Sequence, residues 1–268
     1  MEILWIVVLL GYALSVAQSI FALTTKRPAL EKAALGVLAV SFGAHTSWLL
    51  LRGIETGRCP ITGQQEMWAF LSWCLVITYL VATRWYRAAA LKTFILPIVL
   101  VLSTIAAISP EGDNFIAAQN KPLENTLLTI HVGLILLSYA AFFVAFGAGL
   151  MYIIQERELK QKRLRTFLFK MPSLGTCDAI SSHSMAIGFG LLTLGILGGL
   201  WYSHVRLGIY WQNGPLEIFS VVTWVVYLFL IQTRINGGWS GRTSALASIV
   251  SFLIVICSLV GVRFIGHA

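Results

Sequence analysis

Residues 127–155 read LLTIHVGLILLSYAAFFVAFGAGLMYIIQ, 29 positions without one charged side chain. A helix of that length runs about 44 Å, more than the roughly 30 Å of bilayer hydrocarbon. A surface helix of a soluble domain keeps one polar face; this stretch has none, so it reads as a transmembrane helix that tilts or projects beyond the hydrocarbon. Seven further apolar runs extend from it in both directions: Ile3–Leu23, Ala33–Leu51, Met67–Thr83, Leu91–Ile108, Ser184–Ser203, Leu216–Thr233 and Ala245–Ile265. None shows the alternating pattern, about ten residues long, of a β-barrel strand. The chain is therefore expected to be all-α: a polytopic transmembrane helical bundle of eight spans, forming a single membrane domain over 1–268.

The composition agrees. Of 268 residues, 57% are hydrophobic and 11% charged, against about 25% charged in a soluble domain. The spans leave only short loops and no room for a sizeable soluble domain. The first run carries Glu2 where a signal peptide carries a basic flank, and its core is longer than a signal peptide's, so it reads as a retained helix. The four cysteines form no CxxC pair, which leaves neither a disulfide framework nor a zinc site to expect.

The net charge of +8 has a topological reading. Lys26, Arg27, Lys32, Arg84, Arg87, Lys92, Arg157, Lys160, Lys162, Arg163, Arg165, Lys170, Arg234 and Arg242 fall in the loops after spans 1, 3, 5 and 7. Only Arg52, Arg58, Lys121, Arg206 and Arg263 fall on the other side. Cytoplasmic loops carry the basic excess, so both termini are expected on the external or periplasmic side. Nucleic acid is not implied. The basic segment Gln155–Lys170 reads first as a topology determinant. The longest external loop, Ser109–Asn125, reads as a turn-rich connector.

The five histidines carry the chemistry. Ionisable groups within a membrane are rare and mark functional candidates, and neutral imidazole is a common ligand of haem iron. His45 lies within span 2, about 18 Å from its cytoplasmic end. His183 is expected at the cytoplasmic mouth of span 6. His131 lies near the outer start of span 5 and His267 at the outer end of span 8, with His204 a third outer histidine that could replace either. Between spans 6 and 7 runs Gly208-Ile209-Tyr210-Trp211-Gln212-Asn213-Gly214-Pro215-Leu216-Glu217. Its aromatics suit either an interfacial belt or a surface for stacking a porphyrin. Gly195, Gly198 and Gly199 are expected to let helices approach closely, and Glu66 and Glu217 to complement helix dipoles. No phosphate loop, nucleophile triad or HExxH motif is present.

Taken together, HVGLILLSYAA at 131–141, YIIQERELK at 152–160, GFGLLTLGILGGLW at 188–201, TWVVY at 223–227 and GWSGR at 238–242 resemble the cytochrome c assembly family of membrane haem-handling proteins, the CcsA/HemX type. The resemblance is strongest over 120–265. It implies a haem, b-type and non-covalently held, on the external face between two histidines that flank a tryptophan-rich loop. His131 matches the first histidine and His267 the second, with Trp211 in the loop. His45 and His183 match internal histidines proposed to bind haem within the membrane. The resemblance also implies delivery to an apocytochrome, a second assembly subunit in the membrane and a bacterial inner membrane location. The family loop reads WxWDPKE; here Trp211, Pro215 and Glu217 remain, and Asn213 and Gly214 replace Trp and Asp. That is the pattern of a shorter, HemX-like branch linked to control of haem synthesis. A haem-carrying subunit of a respiratory complex is a further alternative.

Overall fold

The computed structural model describes residues 2–24, 28–86, 88, 90–110, 122–162 and 171–265. Eight helices lie where the eight apolar runs are: α1 (Glu2–Thr24), α2 (Pro28–Thr56), α3 (Gln64–Tyr86), α4 (Leu91–Ile108), α5 (Pro122–Lys160), α6 (Leu174–Leu207), α7 (Pro215–Asn236) and α8 (Arg242–Ile265). Among the described residues there is no β-strand. Helices α1 to α7 are each long and apolar enough to cross a bilayer. The all-helical, multi-pass architecture is as the hydropathy requires.

The helices form two compact units. The first comprises Met1–Ala118 with Ile154–Ser173, the second Gln119–Ile153 with Leu174–Ala268. In the first, α1 packs on α2 and α4, and α3 packs on α4 and α2, closing a four-helix ring. Close approach of α1 and α2 is possible because Gly11 has no side chain: a Cβ there would fall on Ser41 Oγ. In the second unit α7 packs on both α6 and α8. Phe142 of α5 stacks on Tyr227 of α7 at 3.6 Å between ring centroids, and Phe143 and Phe146 meet Phe252 of α8 at 4.6 and 4.2 Å. These aromatic contacts tie the first two-thirds of α5 into the second unit.

One boundary departs from the hydropathy reading. Helix α6 begins at Leu174, ten residues before the expected Ser184. The intervening segment contains Asp178 and two serines, which ends an apolar run without ending a helix. Asp178 is neutralised by Arg234 of α7 in a two-pronged pair, with Oδ2 2.6 Å from Nη2 and Oδ1 3.1 Å from Nη1. Arg234 also donates to Ser244 Oγ of α8, so one guanidinium ties three helices. The correction moves His183. It lies nine residues into α6, about 13 Å along the axis from the helix start.

Candidate functional site

In the first unit the decisive side chain is His45, fully buried two-thirds of the way along α2. Trp5 and Tyr12 of α1 and Trp48 of α2 enclose it. The Trp5 ring lies edge-on to the imidazole with centroids 5.2 Å apart, the Tyr12 ring at 5.8 Å, and Trp5 packs on Trp48 at 4.4 Å. Nδ1 is hydrogen-bonded to the Tyr12 hydroxyl at 3.0 Å. A hydroxyl both gives and takes a proton, so this bond leaves the tautomer open. The backbone of Ala69 in α3 faces the ring, yet Nε2 has no partner at hydrogen-bond geometry; Trp5 Nε1 beside it has none either. His45 thus has an uncommitted ring nitrogen in a closed aromatic box. The rings of Trp5 and Tyr12 and the backbone of Ala69 lie against the imidazole.

In the same unit the α2–α3 turn is organised by Glu66, 2% exposed at the third position of α3. Its Oε2 accepts the N–H of Gly63, the residue before the helix, at 3.1 Å, and its Oε1 accepts from Arg52 Nε at 3.3 Å. Burial, and then the Glu66 carboxylate, push the half-buried Cys59 thiol above the usual range.

In the second unit His131 of α5 is built differently. Its Nδ1 lies 2.6 Å from the carbonyl oxygen of Gly195 in α6. A carbonyl has no proton to give, so Nδ1–H is the donor and Nε2 carries the lone pair. Histidine metal ligands adopt the same arrangement, one ring nitrogen held by a backbone carbonyl and the other presented outward. The ring packs against Gly199: a Cβ at that position would come within 2.5 Å of Cε1, 2.8 Å of Nδ1 and 3.1 Å of Nε2. Two of the three glycines expected to permit close packing, Gly195 and Gly199, therefore also shape the seat of an imidazole. Among the described residues nothing donates to Nε2. The residue is half-buried, and a lone pair on Nε2 is the chemistry an iron ligand needs.

The α6–α7 loop has its own framework. Ser203 Oγ donates to Ile209 O at 2.7 Å and accepts from Gln212 Nε2 at 2.9 Å. Glu217, at the third position of α7, accepts the backbone N–H groups of Gln212 (2.9 Å) and Gly214 (3.3 Å). Asn213 takes a positive φ of 58° and accepts the Trp211 indole N–H at 2.6 Å. His204 stacks on Tyr210 with centroids 4.2 Å apart. Tyr210 and Trp211 stay exposed, so the loop holds aromatic faces outward despite its departure from the family pattern.

The sequence-expected residues thus divide. His131 acquires a defined partner and tautomer, and Trp211 lies in an ordered loop. His45 is in the first unit, while His131 and His183 are in the second. His183 is exposed, and His267 lies outside the described residues. Among the described residues no three His, Cys, Asp or Glu side chains gather as a metal cluster. Tyr12, Trp5 and Trp48, which govern His45, escaped sequence reading. The signal available was an aromatic hydroxyl in mid-span, since tyrosine otherwise favours membrane interfaces.

A family model described as cytochrome C assembly protein matches residues 62–268. The chain belongs to the cytochrome c assembly family. Curated relatives extend the likeness toward the N-terminus. A cytochrome c biogenesis protein CcsA of Prochlorococcus marinus (strain MIT 9215) is 29% identical over 241 residues, 82% of this chain and 78% of that protein. CcsA of Synechococcus sp. (strain CC9605) is 27% identical, covering 86% of this chain and 83% of its own. CcsA of Chlamydomonas reinhardtii is 29% identical, covering 82% and 62%. Among solved structures, cytochrome c heme lyase CcmF superposes with a TM-score of 0.65 at 14% identity, over 94% of this chain. The chain spans 45% of the length of that protein, so this likeness speaks to the fold alone. The family places the chain, a multi-pass membrane protein, in c-type cytochrome assembly.

Proposed function

We propose that this protein binds haem and holds it toward the external face of the membrane for delivery to an apocytochrome, with His131 Nε2 as an iron ligand. The observation that carries this reading is the Nδ1–H bond to Gly195 O over the Gly199 seat, which commits the ring to the ligating tautomer. His267 supplies the opposing ligand, with His204 as its substitute, and Tyr210 and Trp211 offer faces on which a porphyrin stacks. His45, once its aromatic box opens, and His183 are each further ligand candidates for haem within the membrane. The haem is cargo, and its vinyl groups are where client thiols attach. The protein contributes orientation and shielding from oxidants. A second assembly subunit and the apocytochrome are the partners this role needs.

The test is a visible spectrum of protein purified from haem-replete cells. The wild type is expected to show a Soret band that His131→Ala largely loses and added imidazole partly restores. A preparation that is haem-free and unchanged on haem addition overturns the reading.

Asn213 and Gly214 in the loop favour one second reading, a HemX-like regulator of haem synthesis contacting a cytoplasmic partner through Gln155–Lys170. Replacing the lysines and arginines of that segment with glutamine, at equal membrane insertion, would then disturb haem synthesis while His131→Ala would not.

A further inference from the structure

The polar side chains that frame the α6–α7 loop are paired with one another or with its backbone: Ser203 with Gln212, Asn213 with Trp211, and Glu217 with the N–H groups of Gln212 and Gly214. Arg206, at the end of α6 where this loop begins, is not matched in this way. Among the described residues no carboxylate lies within ion-pair distance of its guanidinium. Glu124 of α5 stands level with it, by the antiparallel register that sets His131 against Gly199 and Ile135 against Gly195, but lies outside that distance and has an interaction of its own. What holds Arg206 is Tyr202: Nη1 donates to the phenol oxygen at 3.2 Å, and the guanidinium carbon is 6.0 Å from the ring centre. Its Nε is buried with no hydrogen-bond partner. A guanidinium offers a fork of donors that fits a carboxylate, and one phenol oxygen fills little of it.

Gly195, Gly199, Tyr202 and Arg206 follow one another at intervals of four, three and four, so they form one stripe along α6. The two glycines seat the His131 ring. Arg206 is seven residues beyond Gly199, about 10 Å along the axis. An iron on His131 Nε2 thus has a cation on the same face of α6, at a distance that the half-width of a porphyrin and the reach of an arginine side chain cover together. Haem carries its propionate carboxylates on one edge, and they are the only anionic groups of the macrocycle's rim.

We infer that Arg206 receives a propionate of the haem held at His131, and so turns the propionate edge of the porphyrin toward the loop end of α6. This rests on the haem-binding reading above and adds the orientation of the cargo to it.

Haemin and haemin dimethyl ester, in which the propionate charges are removed, test it when titrated into the detergent-purified full chain and followed by Soret absorbance. The ratio of the two dissociation constants is the quantity to compare between variants, because the ester also partitions more strongly into detergent. The wild type should favour haemin over the ester by about tenfold more than Arg206→Gln does, the advantage of one charge-assisted pair. Arg206→Lys, which keeps the charge but not the fork, should restore part of that preference. Arg206→Met, which still covers the Tyr202 ring, serves if Arg206→Gln does not fold. His131→Ala should weaken both porphyrins and leave their ratio as in the wild type. A ratio that loss of the Arg206 charge does not change, with both porphyrins still weakened by His131→Ala, overturns the propionate assignment and spares the His131 reading. Binding of neither porphyrin by the wild type overturns both.

Discussion

His45 and His131 are both histidines inside apolar helices, one in each unit, and their surroundings treat them oppositely. His45 is sealed by aromatic rings and bonded to a hydroxyl that accepts either tautomer. His131 lies half-buried on glycine and is bonded to a carbonyl that permits only one. Burial alone does not make a histidine a ligand. What matters is which atom faces Nδ1, because that atom decides whether Nε2 has a lone pair to offer.

The contrast breaks most sharply at glycine. Gly199→Ala places a methyl group against the His131 ring. It should cut haem retention to nearly that of His131→Ala and destabilise the fold by about 1–3 kcal/mol, the range for overpacking. Gly43→Ala, two residues before His45, meets nothing within 4 Å. It should leave the spectrum unchanged and stabilise by roughly 0.5–1 kcal/mol through helix propensity. Spectra and thermal unfolding in detergent separate the two; similar behaviour of both variants would show that the glycine seat is incidental.

The hydroxyl of Tyr12 comes next. Tyr12→Phe leaves Nδ1 of His45 buried without a partner, a loss of about 1–3 kcal/mol. Adding His45→Leu removes the stranded nitrogen, so the double variant should recover part of that loss. Strict additivity in unfolding measurements would mean that the 3.0 Å bond contributes nothing.

A smaller effect sharpens the comparison at the helix starts. Glu66 and Glu217 each occupy the third position of a helix and reach back to the N–H of a preceding glycine, Gly63 or Gly214. Glu66 is buried and also holds Arg52, whereas Glu217 lies in a part-exposed loop. Glu66→Gln should therefore cost about 1–3 kcal/mol and Glu217→Gln about 0.5–1. The former also removes a negative charge that raises the Cys59 thiol. Cys59 should then ionise at lower pH and alkylate faster at neutral pH; an unchanged rate would mean that burial alone holds it up.

Much of this was legible in the residues, and for physical reasons. Lipid tolerates only backbone that bonds within its own segment, so apolar length dictated eight helices nearly to their ends. The start of α6 was not legible, because its first turns are too polar to read as a span and the arginine that meets Asp178 lies 56 residues away. His131 was identified by the motif it opens, but its tautomer was not, since the carbonyl that fixes it belongs to a residue 64 positions on.

The sequence by itself determined the class, the spans and the family, because hydropathy and local motifs act within single helices. Tertiary structure alone decided which histidine is seated and which is sealed. Those outcomes depend on the few ångströms between helices, which Gly199 widens at His131 and Trp5 and Trp48 close at His45.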